Sequence, residues 1–244
     1  MRSRALIRGA AILALFSAAA TARAQATGDK FADGLVPGDY ARVAYGSFSP
    51  ISPKGSIRDW NRGTGFTIGY ENWDTGSGGV ARLGFGLEGS YSFYPFNGDR
   101  FIVDFANSPI GKPISASASS ASILQIGVTT RLRIPAPYIM PNLAVAFGFF
   151  NWRPSEIHYT TATASATAKQ QNRSGGSITF SGGLDKHVID RFAVFADASY
   201  TYAYTSFGGG LAGSGSSCIQ TDCDLLKNTQ LGVVRGGLRV RVGR

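Results

Sequence analysis

Residues 182–204 read Gly-Gly-Leu-Asp-Lys-His-Val-Ile-Asp-Arg-Phe-Ala-Val-Phe-Ala-Asp-Ala-Ser-Tyr-Thr-Tyr-Ala-Tyr. This stretch predicts the end of one strand, a short polar turn and a long second strand in which apolar and polar residues alternate. The apolar face carries Phe192, Val194, Ala196, Ala198, Tyr200, Tyr202 and Tyr204, and the polar face carries Asp197, Ser199 and Thr201. Such an alternation, ending in tyrosines, is typical of a strand with lipid on one side and a polar lumen on the other.

The same period of two recurs along the chain and predicts an all-β protein with eight strands. The strands are predicted at residues 40–48, 63–72, 80–93, 114–134, 138–152, 177–186, 192–204 and 231–242. Connections near 73–79, 135–137 and 187–191 are short, and those near 49–62, 94–113, 153–174 and 205–228 are long. This segregation of loop lengths indicates an eight-stranded antiparallel transmembrane β-barrel with short periplasmic turns and long external loops. A soluble β-sandwich shares the period of two but not the segregation.

The N-terminal residues have the three parts of a secretory signal peptide. Three arginines among the first eight residues precede an apolar run at 10–20, and Ala-Arg-Ala at 22–24 is a small-x-small cleavage site. Because the apolar run is too short to span a bilayer, we expect residues 1–24 to be cleaved and residues 25–244 to form the barrel domain. Losing the four arginines of the leader lowers the formal net charge from +9 to +5. An exported protein is not expected to bind nucleic acid, although its net charge is positive. Basic residues at an anionic membrane surface or lining the lumen explain the positive charge better.

Aromatic residues near the strand ends predict two interfacial girdles. The external girdle comprises Tyr91, Phe93, Phe149, Trp152, Tyr202 and Tyr204, and the periplasmic girdle comprises Tyr40, Tyr70, Tyr138 and Phe192. In the first strand we expect Ala41, Val43 and Tyr45 to face outward, and Arg42, Ala44 and Gly46 to face inward. Within the long loops, residues 101–105 are predicted to be extended, and the Thr-Ala alternation at 161–168 predicts hairpin arms.

Charged residues on the inward faces predict an ion-pair network in the lumen. The acids are Glu71, Glu88, Asp185 and Asp197, and the bases are Arg42, Arg82, Arg131, Arg133, Arg235, Arg239 and Arg241. An eight-stranded barrel is only wide enough for its own side chains, and unpaired charges there would be costly. Asp197 and Arg235 lie on neighbouring strands and form the favoured pair. The other interpretation is an ion path with a weak preference for anions.

Two cysteines and two histidines complete the candidate residues. Cys218 and Cys223 lie in the last external loop, and in an exported chain they predict a disulfide. His158 and His187 fall at opposite ends of the barrel, so they cannot share a site. We therefore predict no catalytic residues, no metal site and no cofactor.

The hairpin at 182–204 resembles the penultimate hairpin of the small outer-membrane β-barrels, the OmpA-like and OmpX-like eight-stranded family. The shared pattern is Gly-Gly-Leu-Asp at 182–185, Asp-Arg-Phe at 190–192, and Asp197 and Tyr200 in the following strand. Residues 235–242 likewise resemble the assembly signal of such barrels, polar-x-Gly-x-x-apolar-x-apolar, with valine where an aromatic residue is usual. The resemblance implies location in the cell outer membrane, contact with its lipid and insertion by the barrel assembly machinery. Because the chain stops after the eighth predicted strand, we expect no counterpart of the periplasmic domain of OmpA-like proteins.

The predicted function is that of an integral outer-membrane barrel with a structural or surface-interaction role. Its long loops would meet an extracellular ligand, while the lumen is filled by charges. A small porin-like channel for solutes or ions is the alternative. A lipid-modifying enzyme is the third possibility, and it lacks the residues that such chemistry needs.

Overall fold

The computed structural model of the chain describes residues 40–54, 60–74, 81–105, 112–136, 139–168, 172–189, 191–204 and 228–242. In chain order the elements are β1 (Tyr40–Lys54), β2 (Gly63–Asp74), β3 (Arg82–Tyr94), α1 (Gly98–Asp104), β4 (Pro113–Ala118), β5 (Ala121–Arg133), β6 (Met140–Arg153), β7 (Ile157–Thr161), β8 (Ser165–Ala168), β9 (Arg173–Ile189), β10 (Phe192–Tyr204) and β11 (Asn228–Arg241). No helix in the described ranges is both long and apolar enough to cross a membrane.

Eight of these strands close into an antiparallel barrel in the order β1-β11-β10-β9-β6-β5-β3-β2. Each barrel strand pairs with the one before it in the chain, and β11 closes the ring by pairing with β1. The connections at one end, residues 75–81, 134–139 and 190–191, are short, and those at the other end include the long segments 95–120, 154–172 and 205–227. The prediction of an all-β, eight-stranded antiparallel barrel is therefore confirmed. The β1–β2 connection is shorter than predicted because β1 continues to Lys54.

The polarity of the barrel is inverted relative to that of a water-soluble protein. Large apolar side chains are exposed around its outer wall, where Leu87 is 61% exposed, Val128 56% and Phe180 55%. Charged side chains such as Glu71 and Arg131 are instead fully buried on the inner wall. Lipid solvates such an apolar belt, and closure of the barrel leaves no unpaired backbone edge within the membrane. The barrel therefore spans a membrane.

The side-chain directions predicted for the first strand are wrong. Ala41, Val43 and Tyr45 are buried inside the barrel, and Arg42 is exposed on its outside. The prediction assigned the more hydrophobic face of β1 to lipid, but this face lines the lumen. Phe48 is 81% exposed on the outside of the barrel. Because alternate residues of a strand face opposite sides, an outward Phe48 places Tyr45 inward.

The predicted position of Trp152 in the external girdle is also wrong. Its side chain is buried inside the barrel at 1% exposure, whereas Phe149 is 47% exposed on the outside. The two positions differ in parity, so the alternation of β6 itself places Trp152 inward. Phe93 on the external side and Phe192 on the periplasmic side are exposed, as the girdles require. The side chains of Tyr40, Tyr138 and Tyr204 lie outside the described residues.

The predicted fourth strand is in fact two strands that belong to different sheets. β5 lies in the barrel, whereas β4 joins β7 and β8 in a separate three-stranded sheet of order β4-β7-β8. β7 and β8 form an antiparallel hairpin, which confirms the hairpin arms predicted for this loop.

The extended conformation predicted for residues 101–105 is wrong, because α1 occupies most of this segment. The side chain of Asn97 caps α1 by accepting a hydrogen bond from the backbone N–H of Arg100 at 3.1 Å, and Asp99 lies in the first turn. Both features stabilise a helix N-terminus. We refer to α1, β4, β7 and β8 together as the cap.

Candidate functional site

The external end of the lumen is filled by an apolar cluster, which we name the plug. Its members are Ile51, Trp60, Tyr94, Ala121, Ile123, Phe150, Trp152, Ala203 and Leu231. Trp152 lies at its centre, with ring centroids 5.9 Å from those of Trp60 and Tyr94 in edge-to-face arrangements. At this level of the barrel, rings and aliphatic side chains from several strands pack against one another in the lumen.

Aromatic contacts join the plug to the cap. Trp60 and Phe96 form an isolated β-bridge, and their ring centroids are 5.4 Å apart. Phe96 lies 5.7 Å from Phe101 of α1, and Phe101 lies 5.8 Å from Tyr159 of β7. Phe101 is buried in a cluster with Ile157 and Tyr159. The cap is thus seated on the barrel through a continuous series of ring contacts.

On the periplasmic side of the plug, buried ion pairs connect four carboxylates and four guanidinium groups, which we name the charge network. Its members are Glu71, Glu88, Asp185, Asp197, Arg131, Arg133, Arg235 and Arg239. Seven of these side chains are at most 5% exposed, and Glu88 is 15% exposed. The formal charges of the set cancel, as burial of so many ions requires.

Arg235 connects the part of the network nearest the plug. Asp197 and Arg235 are directly opposite each other on β10 and β11, and Arg235 Nε donates to Asp197 Oδ2 at 3.3 Å. Arg235 Nη1 also donates to Glu88 Oε1 at 2.9 Å. The other oxygen of Glu88 accepts from the Tyr45 hydroxyl at 2.7 Å. Both oxygens of Glu88 are therefore hydrogen-bonded, one of them to a cation.

Arg131 and Arg239 connect the rest of the network. Arg131 Nε donates to Glu71 Oε1 at 3.0 Å, and Arg239 Nε donates to Asp185 Oδ1 at 3.1 Å. Asn142 completes this region, because its Oδ1 accepts from Arg131 Nη1 at 2.7 Å and its Nδ2 donates to Asp185 Oδ1 at 3.2 Å. Sequence reasoning missed Asn142 because it considered only charged residues for the lumen.

Inward-facing aromatic rings cover the guanidinium groups. Arg239 Cζ lies 4.8 Å from the ring centroid of Tyr45 and 4.3 Å from that of Phe195. Arg133 Cζ lies 4.4 Å from the ring of Trp73, and its Nη2 donates to Asp185 in the network. Such stacking stabilises a desolvated cation. Sequence reasoning missed all three rings, although the parity of each strand places them inward.

The remaining candidate residues fall in different places. Arg82 and Arg241 lie on the inner wall nearer the periplasmic end and are half-buried. Arg42 faces outward and does not enter the lumen. Cys218 and Cys223, with the disulfide predicted for them, lie outside the described residues, as does the signal peptide predicted at 1–24.

The two histidines lie in separate regions. His158 is exposed in the cap, with Nδ1 3.0 Å from the Thr167 hydroxyl. His187 is near the end of β9, at the opposite end of the barrel. In the described ranges, no group of three or more His, Cys, Asp or Glu side chains is arranged to hold a metal ion.

Comparison with solved structures returns small outer-membrane barrels. Neisserial surface protein A shares 11% identity over 82% of this chain and 97% of its own, with a TM-score of 0.46. Ail of Yersinia pestis shares 14% identity over 85% of this chain and 100% of its own, with a TM-score of 0.38. The N-terminal β-barrel domain of Pseudomonas aeruginosa OprF shares 13% identity over 82% of this chain and 97% of its own, with a TM-score of 0.35. No family model and no curated protein sequence matches the chain.

The class of the protein follows from its own strand order, apolar belt and charged interior. A closed antiparallel barrel of eight strands with lipid outside and side chains filling its lumen is a small outer-membrane β-barrel. The protein is thus an integral protein of the outer membrane in contact with its lipid.

Proposed function

We propose that the protein is a non-conducting barrel that anchors the cap at the cell surface, where the cap meets an extracellular ligand. The observation that carries this proposal is the presence of two layers of side chains in the lumen, the plug and the charge network. The plug occupies its external end, and the charge network fills the section below it with ion pairs of zero net formal charge. A solute crossing the barrel would have to disrupt both layers.

The form of the cap supports a role in display. Its sheet buries Ile157 and Tyr159 against Phe101, which leaves the opposite face to water. That opposite face carries five hydroxyl side chains and one imidazole: Ser115, Ser117, His158, Thr160, Ser165 and Thr167. A rigid platform of this kind presents side chains to a ligand with little loss of conformational entropy.

The last strand supports a proposal about how the barrel is inserted into the membrane. Val242 is exposed and Val240 half-buried on the outer side of β11, while Arg235 and Arg239 face the lumen. This pattern supports insertion by the barrel assembly machinery through the last strand.

We also propose that the protein is not an enzyme, since its buried ionic groups are engaged with one another.

Single-channel recording in planar bilayers tests the closed lumen. We expect no discrete conductance steps from the wild-type protein, and steps from a variant in which Phe150→Ala and Trp152→Ala open the plug while Arg235→Ser weakens the network. An outward-facing double variant, Phe147→Ala with Phe149→Ala, is the matched control and should stay silent. Wild-type steps that disappear on Arg235→Met would instead assign the function to the lumen and support the porin-like alternative.

Excision of the cap tests the display role. Short Gly-Ser connections that replace residues 97–119 and 155–171 should leave the barrel folded, as judged by heat-modifiable gel mobility, and should abolish adherence of expressing cells to coated surfaces. Charge reversal at Asp197 together with Arg235, in protein that passes the same mobility test, should leave adherence intact. The opposite pattern, with adherence lost only in the charge-reversed protein, would overturn the proposal.

A further inference from the structure

A small polar cavity lies inside the barrel wall, on the external side of Glu88. Its volume is about 20 Å³, and its lining includes the side chains of Glu88, Ser90, Gln125, Ser177 and Thr179. The cavity has no part in the plug or in the ion pairs of the charge network, apart from its contact with Glu88.

Two glycines lie in the wall of the cavity. Gly127 of β5 and Gly148 of β6 lie directly opposite each other, and Gly127 is also opposite Glu88 of β3. A Cβ atom on Gly127 would lie 2.6 Å from the carbonyl oxygen of Phe147, so no larger residue fits without moving the backbone. Glycine at both positions lets the backbones of β5 and β6 approach closely, and both strands contribute to the cavity wall.

The lining contains a buried donor that the protein does not satisfy. Gln125 Oε1 accepts from the Ser90 hydroxyl at 3.2 Å. Gln125 Nε2 is buried and has no hydrogen-bond partner among the described residues. On the other side of the cavity, the Thr179 hydroxyl is within 2.8 Å of the Thr201 hydroxyl. A buried amide donor without a partner is strongly unfavourable, and a ligand that accepts its proton would remove that penalty.

We propose that this cavity binds one ordered water molecule. The water accepts a hydrogen bond from Gln125 Nε2 and donates to oxygen atoms of the lining, which includes Glu88, Ser177 and Thr179. A cavity holds a water when it offers roughly 10–15 Å³ or more and two to four polar partners, whereas cavities that stay empty are apolar. The proposal is independent of the role assigned to the cap.

A crystal structure of the full chain at a resolution that shows ordered water tests the proposal directly. We expect a single density peak at hydrogen-bonding distance, about 2.7–3.2 Å, from Gln125 Nε2. The absence of density there would overturn the proposal, whatever the variants described next show.

An isosteric pair of substitutions at Ala146, which lines the cavity, gives a second test. Both Ala146→Val and Ala146→Thr fill the cavity and expel the water, but only threonine brings a hydroxyl that can accept from Gln125 Nε2. We expect the thermal unfolding midpoint of Ala146→Thr to exceed that of Ala146→Val by about 2–4 °C. A midpoint for Ala146→Val equal to or above that of Ala146→Thr would mean that Gln125 Nε2 gains nothing from an acceptor, and the proposal would fail.

Discussion

Single residues decide whether the charges of the lumen can be buried. Glu71, Asp185, Arg131 and Arg239 are completely buried, and each depends on a partner because an isolated ion in such surroundings is strongly disfavoured. Their inward direction could be predicted, because the alternation within a strand shows which wall a side chain faces. Contacts across the lumen, such as that between Arg131 and Asp197 at 3.5 Å, could not be predicted, because alternation does not fix the relative height of distant strands.

The substitution Arg239→Leu removes one cation from the network and leaves Asp185 and Glu71 with less compensation. We expect the free energy of unfolding to fall by about 3–5 kcal/mol, measured by urea titration of the protein in lipid vesicles with tryptophan fluorescence as the signal. Arg42→Leu is the matched control, because Arg42 faces outward. Equal losses in the two variants would show that the buried ion pairs contribute little.

Pairs of strands match a large inward side chain with a glycine on the neighbouring strand. Gly69 lies beneath the ring of Tyr45, and Gly84 lies beside the ring of Trp73, in both cases at directly opposed register positions. Glycine leaves space for the ring, and the ring covers the exposed backbone of the glycine. The inward direction of Gly84 could be predicted from the alternation of β3. Its partner required the register, which the sequence alone does not fix.

Gly84→Val tests this matching. A Cβ atom at position 84 would lie 2.8 Å from Cδ2 of Trp73, and the Trp73 side chain is only 1% exposed. We expect a loss of about 1–3 kcal/mol in the free energy of unfolding, measured by the same titration. Gly176→Val should change stability little, because nothing lies within 4 Å of a Cβ atom there. Similar effects at the two glycines would contradict the matching.

The separate sheet of the cap could not be predicted from the sequence. β4 and β5 keep a common alternation, and only Ser119 and Ser120 separate them, so no glycine or proline marks the change of sheet. The pairing of β4 with β7 is also distant in sequence. α1, in contrast, could have been predicted, because Asn97 and Asp99 together are a helix N-terminal signal.

The whole molecule places apolar residues in two different solvents. Val128 is 56% exposed on the barrel wall, and Ile114 is 66% exposed in the cap. The two side chains are exposed to a similar degree but to different surroundings. Lipid surrounds Val128, and water surrounds Ile114.

Arginine at each of these positions distinguishes the two surroundings. Val128→Arg should lower the free energy of unfolding of the protein in lipid vesicles by about 2–4 kcal/mol, the range for a cation near the bilayer midplane. Ile114→Arg should have almost no effect, because the new charge remains hydrated. Equal tolerance of arginine at both positions would contradict the placement of the membrane around β5.

The seating of the cap also sets an order of events during biogenesis. β4 and β7 are separated in the chain by β5 and β6, so they come side by side only after those two strands have formed their hairpin. The ring contacts beneath the cap further require Trp60, which precedes β2 and reaches its position when β2 pairs with β3. An antibody that recognises only the folded cap would therefore stain a living cell only after β2 has paired with β3 and β5 with β6.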